Sequence, residues 1–132
     1  MAEELYRNDY MTVTEDAGWL TLAWTKEEPS DEHSVVTAKA VAAALDAQIE
    51  RAAGQKFLVL VDLMCVKKTF PRATAAYTQW LLGHRAQVKA GAFATGAFLL
   101  RTAVSASMII PGVTMKGFSN LADAKAYLKA KA

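Results

Sequence analysis

The chain has 132 residues, 53% of them hydrophobic, which fits one domain over residues 1–132 whose core needs neither disulfides nor metal. The net charge is only +2 and the basic residues are dispersed without a nucleic-acid-binding motif, which argues against a nucleic-acid partner. The single cysteine, Cys65, excludes an internal disulfide, so a cytoplasmic protein is expected. Arg101 and Pro111 interrupt the longest apolar stretch, so no membrane span is expected.

The first predicted elements form a β-hairpin. Residues 10–14 and 19–25 alternate apolar and polar side chains around a turn in which Gly18 supplies a positive φ. The second strand presents three apolar side chains on one face, which is assigned to the core: Leu20, Leu22 and Trp24. Residues 1–9 are interpreted as an N-terminal segment of low order, and the polar segment 26–33 is interpreted as a loop.

The central strand is the most informative part of the chain. A helix is predicted over 38–53, with Thr37 as its N-cap and Gly54 just past its end. The segment that follows, 57–63, has five apolar residues in succession and then the carboxylate of Asp62. Because neither face of this strand is polar, both faces must be covered, which predicts a sheet sandwiched between helices.

The remaining segments alternate helices and strands. Pro71 suits the first turn of a helix, since its φ is preset and no needed donor is lost. Further along, 89–95 is β-prone, 97–110 has a helical pattern, 113–118 is a strand candidate, and Asn120 caps a terminal helix. The predicted order is β-β-α-β-α-β-α-β-α, an α/β fold with a mixed sheet, an N-terminal hairpin and about four helices.

This element order and two short segments resemble the small STAS-like, anti-anti-sigma-factor-like domains. The segments are Leu-Val-Leu-Val-Asp-Leu over 58–63 and Lys-Gly-Phe-Ser-Asn-Leu-Ala-Asp-Ala-Lys-Ala-Tyr-Leu over 116–128. The resemblance covers residues 10–130, and members of the family commonly end in a phenylalanine followed by such an acidic, alanine-containing helix. It implies a non-catalytic protein-interaction or regulatory module that acts on a protein partner and carries no cofactor.

The resemblance also implies where a phosphorylation switch belongs. Phosphorylation-switched members of the family carry Asp-Ser-x-Gly at the start of the helix after the central strand, so that the serine faces a kinase. The corresponding residues here, 66–73, read Val-Lys-Lys-Thr-Phe-Pro-Arg-Ala and lack that motif. Thr69 is the only nearby hydroxyl, and we interpret it as a cap of the helix that Pro71 opens.

A basic loop follows the central strand. Lys67, Lys68 and Arg72 flank a helix N-terminus, whose free N–H groups and dipole attract anions. Thr95 and Ser119 are expected at the same carboxyl edge of the sheet, although solvated lysines beside unrelated turns would give the same pattern. The candidates for partner or anion binding are Lys67, Lys68, Thr69, Arg72, Thr95 and Ser119.

Two predicted helices, the one that Pro71 opens and the one over 97–110, carry more apolar side chains than a narrow buried stripe requires. The candidates for an apolar interface or pocket are Tyr77, Trp80, Phe98, Leu99 and Met108. Such a surface predicts a homodimer contact or, as the alternative, a binding site for an apolar small molecule beneath helix 97–110.

The charges are unevenly distributed along the chain. Residues 1–32 hold nine acidic and two basic side chains, whereas residues 33–132 hold thirteen basic and four acidic ones. This asymmetry indicates either an acidic segment folded against its own basic body or two patches that meet between copies of the chain.

No catalytic residue and no metal site is predicted. A nucleophile and its base must lie within hydrogen-bonding reach, yet Cys65 follows a buried strand and His84 lies several turns into the next helix. His33 and His84 have no further metal ligands at a useful spacing. An enzyme is therefore the least favoured function class.

Overall fold

The computed structural model describes residues 2–68, 70–98, 101–102, 113 and 115–132. These residues form a six-stranded sheet and three helices, in the order β1 (Glu3–Arg7), β2 (Met11–Asp16), β3 (Trp19–Trp24), α1 (Asp31–Arg51), β4 (Phe57–Asp62), α2 (Pro71–Gly83), β5 (Val88–Ala94), β6 (Met115–Phe118) and α3 (Leu121–Lys131). The predicted α/β class, with its N-terminal hairpin and mixed sheet, is confirmed. The fourth predicted helix, 97–110, lies mostly outside the described residues.

The six strands lie side by side in the order in which they occur along the chain. β1, β2 and β3 pair antiparallel, whereas β3, β4, β5 and β6 pair parallel. Asp62 of β4 pairs with Ala94 of β5, which pairs in turn with Phe118 of β6, so these strands end at one level. We call this border the carboxyl edge, and ligands of α/β folds commonly bind at such an edge.

β4 is buried on both faces, as its apolar run predicts. Phe57 and Val59 lie in a cluster on one face, which we call the front face, together with side chains of α1 and α2. Leu58 and Leu60 lie on the opposite face, the back face, where α3 contributes Ala124 and Leu128. The four strand side chains are at most 5% exposed, so β4 is an interior strand covered by helices on both sides.

The N-terminal part of the chain differs from the prediction. Glu3–Arg7 forms the edge strand β1, whose charged side chains conceal any alternating pattern and are typical of an exposed sheet edge. α1 begins at Asp31, because Ser30 caps it through its Oγ, which accepts the His33 N–H at 3.1 Å. The predicted cap at Thr37 is wrong, since Thr37 is buried within α1 and its hydroxyl lies 3.2 Å from Asn8 Nδ2.

Other local signals gave correct element boundaries. Pro71 is the first residue of α2, and Asn120 caps α3 through Oδ1, which accepts the Asp123 N–H at 2.8 Å. Gly18 has a φ of +88° in the hairpin turn, which a residue with a side chain adopts only with strain. These residues act on the backbone within a few positions of themselves, and for that reason they could be recognised without knowledge of the tertiary fold.

Phe93 occupies a space left by a glycine on the neighbouring strand. It pairs with Gly117 of β6, and a Cβ atom at Gly117 would lie 2.6 Å from the Phe93 ring. The phenylalanine is fully buried, so a shift of its ring would disturb the packing of the cluster on the front face. The glycine therefore fixes how closely β6 approaches the largest side chain of β5.

The acidic N-terminal part folds partly against the basic remainder of the chain. Arg51 lies 3.6 Å from Glu3, and Arg72 lies 3.6 Å from Asp31. The backbone N–H of Lys67 also donates to the Glu27 carboxylate. These contacts favour complementation within one chain, although exposed pairs of this kind stabilise a fold by only about 0–1 kcal/mol each.

Candidate functional site: an aromatic cavity beside the carboxyl edge

The front face of the sheet encloses a cavity of about 100 Å³ beneath α1 and α2. Its walls are predominantly apolar and include the following side chains from three strands and two helices: Leu22, Val59, Phe93, Leu45, Trp80 and Leu81. Lys68 and Phe70 also line it, which places its mouth at the loop that leaves the carboxyl edge. We call this space the aromatic cavity.

Two aromatic rings meet at a right angle in the wall of the aromatic cavity. The ring centroids of Trp24 and Tyr77 are 5.9 Å apart, with an angle of 89° between the ring planes. Trp24 comes from the end of β3 and Tyr77 from the middle of α2, so the corner depends on the packing of α2 against the sheet. Edge-to-face contacts of this kind hold both rings in fixed orientations.

Trp80 forms a third aromatic wall and is held between α1 and α2. Its indole Nε1 donates to Asp46 Oδ1 at 2.7 Å, and its ring stacks on His84 with centroids 4.4 Å apart. His84 Nε2 lies 3.0 Å from the same Asp46 oxygen. Trp80 is only 9% exposed, which places this candidate residue in the cavity wall and leaves little of it for a contact between copies.

Glu28 is a buried acidic residue that the sequence interpretation assigned to a polar loop. It lines the aromatic cavity and is 5% exposed. Both of its carboxylate oxygens are buried and have no hydrogen-bond partner among the described residues, and the same is true of the Tyr77 hydroxyl. Burial raises the pKa of the Tyr77 phenol, and the nearby negative charge of Glu28 raises it further.

Glu28 lacked a sequence pattern that would single it out. It lies between Glu27 and Pro29, and in the sequence it is simply one of the nine acidic residues of the segment 1–32. The one available signal was its position, because Glu28 follows the end of β3 and so lies at the carboxyl edge. A loop that leaves a parallel strand at this edge is a common source of ligand-binding side chains.

The predicted basic residues lie beside the mouth of the aromatic cavity. Lys67, Lys68 and Arg72 are exposed, and we call these three residues the basic rim. The N-cap of α2 is Phe70, whose side chain makes no capping hydrogen bond, so the interpretation of Thr69 as the cap is wrong. The first turn of α2 contains no acidic residue either, so its free N–H groups keep their attraction for anions.

Two further candidates share the carboxyl edge but differ in accessibility. Thr95 and Ser119 directly follow β5 and β6, and the Thr95 N–H donates to the Phe118 carbonyl at 3.0 Å. Thr95 is fully buried and its Oγ accepts the Ala97 N–H at 3.2 Å, whereas Ser119 is exposed. The structure therefore places both at the predicted edge, with only the serine hydroxyl open to a partner.

Phe98, another apolar candidate, is not among the residues that line the aromatic cavity. Phe98 is 68% exposed, with the Arg101 guanidinium 5.5 Å from its ring centroid. Thr69, Leu99 and Met108 lie outside the described residues. The cavity lies beneath α1 and α2, whereas the sequence interpretation put a pocket beneath helix 97–110.

Cys65 and His84 are the side chains that the sequence analysis considered for catalysis. Cys65 is an exposed thiol, while both ring nitrogens of His84 are engaged, one by Asp46 and the other by the Trp80 carbonyl at 2.8 Å. No group of three or more His, Cys, Asp or Glu residues in the described part could hold a metal ion. None of the helices described is long and apolar enough to cross a bilayer.

Comparison with known proteins identifies one relationship. The model of the SpoIIAA-like family matches residues 28–129 of the chain, which include Glu28, the basic rim and most of α3 but not the β3 side chains of the aromatic cavity. Searches of curated proteins and of solved structures found no match.

Proposed function

Because the chain belongs to the SpoIIAA-like family, we propose that it is a non-catalytic regulatory module of the STAS-like type that binds a protein partner. It acts without the Asp-Ser-x-Gly switch, since residues 66–73 carry no such motif and Phe70 occupies the start of α2. The exposed, unpaired Cys65 suits a reducing compartment, so the proposed site of action is the cytoplasm.

The uncapped N-terminus of α2 beside the basic rim is the observation that carries this proposal. Lys67 and Lys68 are exposed, and α2 has neither a side-chain cap nor an acidic residue in its own first turn to offset the positive end of the helix dipole. Met64, at 40% exposure, adds an apolar side chain on the same loop. An acidic surface on a partner protein complements this combination of charge and apolar area.

Reversing two charges of the basic rim tests the proposed partner surface. The Lys67→Glu/Lys68→Glu variant is expected to capture at least about 10-fold less of the acidic partner from extracts of its own cells, because like charges repel across the contact. Recovery is measured by quantitative mass spectrometry of the captured proteins.

The matched control reverses two exposed lysines on the back face. Lys125→Glu/Lys129→Glu changes the net charge equally and is expected to leave capture unchanged. Thr69→Ala should also leave it intact, since no phosphoacceptor role is proposed for that hydroxyl. Equal losses in both double variants would show that only net charge matters and would contradict the proposed surface.

A second candidate function is the sensing or carriage of an apolar small molecule. The observation that favours it is the aromatic cavity, a largely apolar space with two buried polar groups that lack partners. Lys68 and Phe70 belong to both the cavity lining and the region of the basic rim. A bound molecule could therefore influence the partner surface directly.

Self-association is the remaining part of the proposal, and native mass spectrometry tests it together with the cavity. Phe98 is the most exposed large hydrophobic side chain of the described residues, so a dimer is expected for the wild type and a monomer for Phe98→Ser. An additional mass on protein purified from its own cells would support ligand carriage. A monomeric wild type without added mass would contradict both ideas.

A further inference from the structure

We propose that the aromatic cavity binds a small organic ammonium ion, whose positive charge pairs with the Glu28 carboxylate. This inference rests on the second candidate function and specifies the chemical class of its ligand. The two oxygens of Glu28 are buried and lack a partner among the described residues, although the carboxylate lines a space large enough for a guest. Within proteins, a buried charge is normally paired, because an unpaired one is costly.

The walls around Glu28 favour a cation that carries alkyl groups. The perpendicular rings of Trp24 and Tyr77 form a corner, and the indole of Trp80 adds a third aromatic surface. Aromatic faces attract ammonium groups through their quadrupoles, and cages of such rings recognise alkylated ammonium ions. The apolar remainder of the lining suits the attached carbon atoms.

The charges near Glu28 do not already neutralise it. Lys68 is the basic residue in the cavity lining, but it is exposed at the mouth and makes no hydrogen bond to the carboxylate. Arg72 is directed to Asp31 at 3.6 Å. An incoming cation therefore finds an acceptor that no described basic side chain occupies.

The volume of the cavity limits the size of the part that enters it. A cavity of about 150 Å³ accommodates benzene, so the 100 Å³ measured here fits about four or five non-hydrogen atoms. A larger ligand would leave its remainder at the mouth, beside Phe70. Simple alkylammonium ions are thus suitable probes.

Three probes of similar size and different charge test the inference. Butylammonium, 1-butanol and butyrate are titrated in phosphate buffer, since Tris is itself an organic ammonium, and binding is followed by calorimetry and by tryptophan fluorescence. Butylammonium is expected to bind at least about 10-fold more tightly than the other two. The Glu28→Gln variant, which keeps the shape of the side chain, is expected to lose this preference.

The matched control is Glu32→Gln, which removes an exposed carboxylate from the first turn of α1. It should bind butylammonium as the wild type does. Equal binding of butylammonium and 1-butanol would overturn the charge pairing while leaving an apolar-ligand function intact. Absence of binding by all three probes would overturn both, and a preference for butyrate would reassign the cavity to anions.

Thermal stability provides a second readout that does not depend on finding a ligand. In the free protein, Glu28→Gln is expected to raise the Tm by a few degrees, because a buried unpaired charge is removed. Glu32→Gln should not raise the Tm, since it removes a carboxylate that interacts favourably with the N-terminal end of the α1 dipole. An unchanged Tm in Glu28→Gln would contradict the unpaired carboxylate on which the inference depends.

Discussion

Phe93→Ala is expected to lower the free energy of unfolding by about 3–5 kcal/mol, the range for truncating a buried phenylalanine. Phe93 is fully buried in the front-face cluster, and it fills the space that Gly117 leaves on the neighbouring strand. Since small domains are stable by only about 5–15 kcal/mol, this loss corresponds to between about a fifth and all of the stability. Urea unfolding followed by circular dichroism measures the change.

Phe98→Ala is the matched control, because the same substitution is made at a phenylalanine that is 68% exposed. At a protein concentration low enough to keep the chain monomeric, it is expected to change the free energy of unfolding by no more than about 0.5 kcal/mol. Similar losses in the two variants would show that Phe93 does not occupy a closely packed interior position. The interpretation of the front face, including the walls of the aromatic cavity, would then be wrong.

Leu128→Asp is expected to destabilise the protein by at least about 4 kcal/mol. Leu128 is fully buried against Leu58 and Leu60 of the central strand, and an aspartate there would leave a charge without a partner. We expect α3 to detach from the sheet, because detachment costs less free energy than burying the charge. The back face of β4 would then be exposed to water. Hydrogen exchange of the α3 amides should rise together with the loss of stability in urea.

Ala130→Asp introduces the same side chain at an exposed position of α3. It experiences the same unfavourable interaction with the C-terminal end of the helix dipole, which costs about 0.3–1 kcal/mol. The difference between the two variants therefore measures burial alone. A loss in Leu128→Asp no larger than in the control would mean that α3 does not cover the back face.

Much of the fold could be predicted because its determinants are local. The apolar run of β4, the turn at Gly18, the proline at the start of α2 and the Asn120 cap each specify structure within a few residues. α1 begins seven residues earlier than predicted, because Ser30 and Thr37 are both favourable N-cap residues and the two acids that follow Ser30 also interact favourably with the helix dipole. β1 escaped prediction, since its apolar content is low and its pairing with β2 provides the order.

The candidate site could be predicted only in part. Tyr77 and Trp80 were recognisable as surplus apolar side chains, but which neighbour covers them depends on how α2 packs against α1. Glu28 could not be distinguished from the surface acids around it, because burial is a property of the assembled fold. The basic rim was predictable, since charges next to a helix-opening proline are visible in the sequence.

The order of the strands has a consequence for how the protein is made. Each strand pairs with the one synthesised just before it, so the sheet can grow on the ribosome by adding one strand at a time. Pairing partners close in sequence also favour rapid folding. α3 emerges after all six strands, however, so Leu58 and Leu60 stay uncovered until its residues have left the ribosome, and the nascent chain is prone to aggregation during that interval.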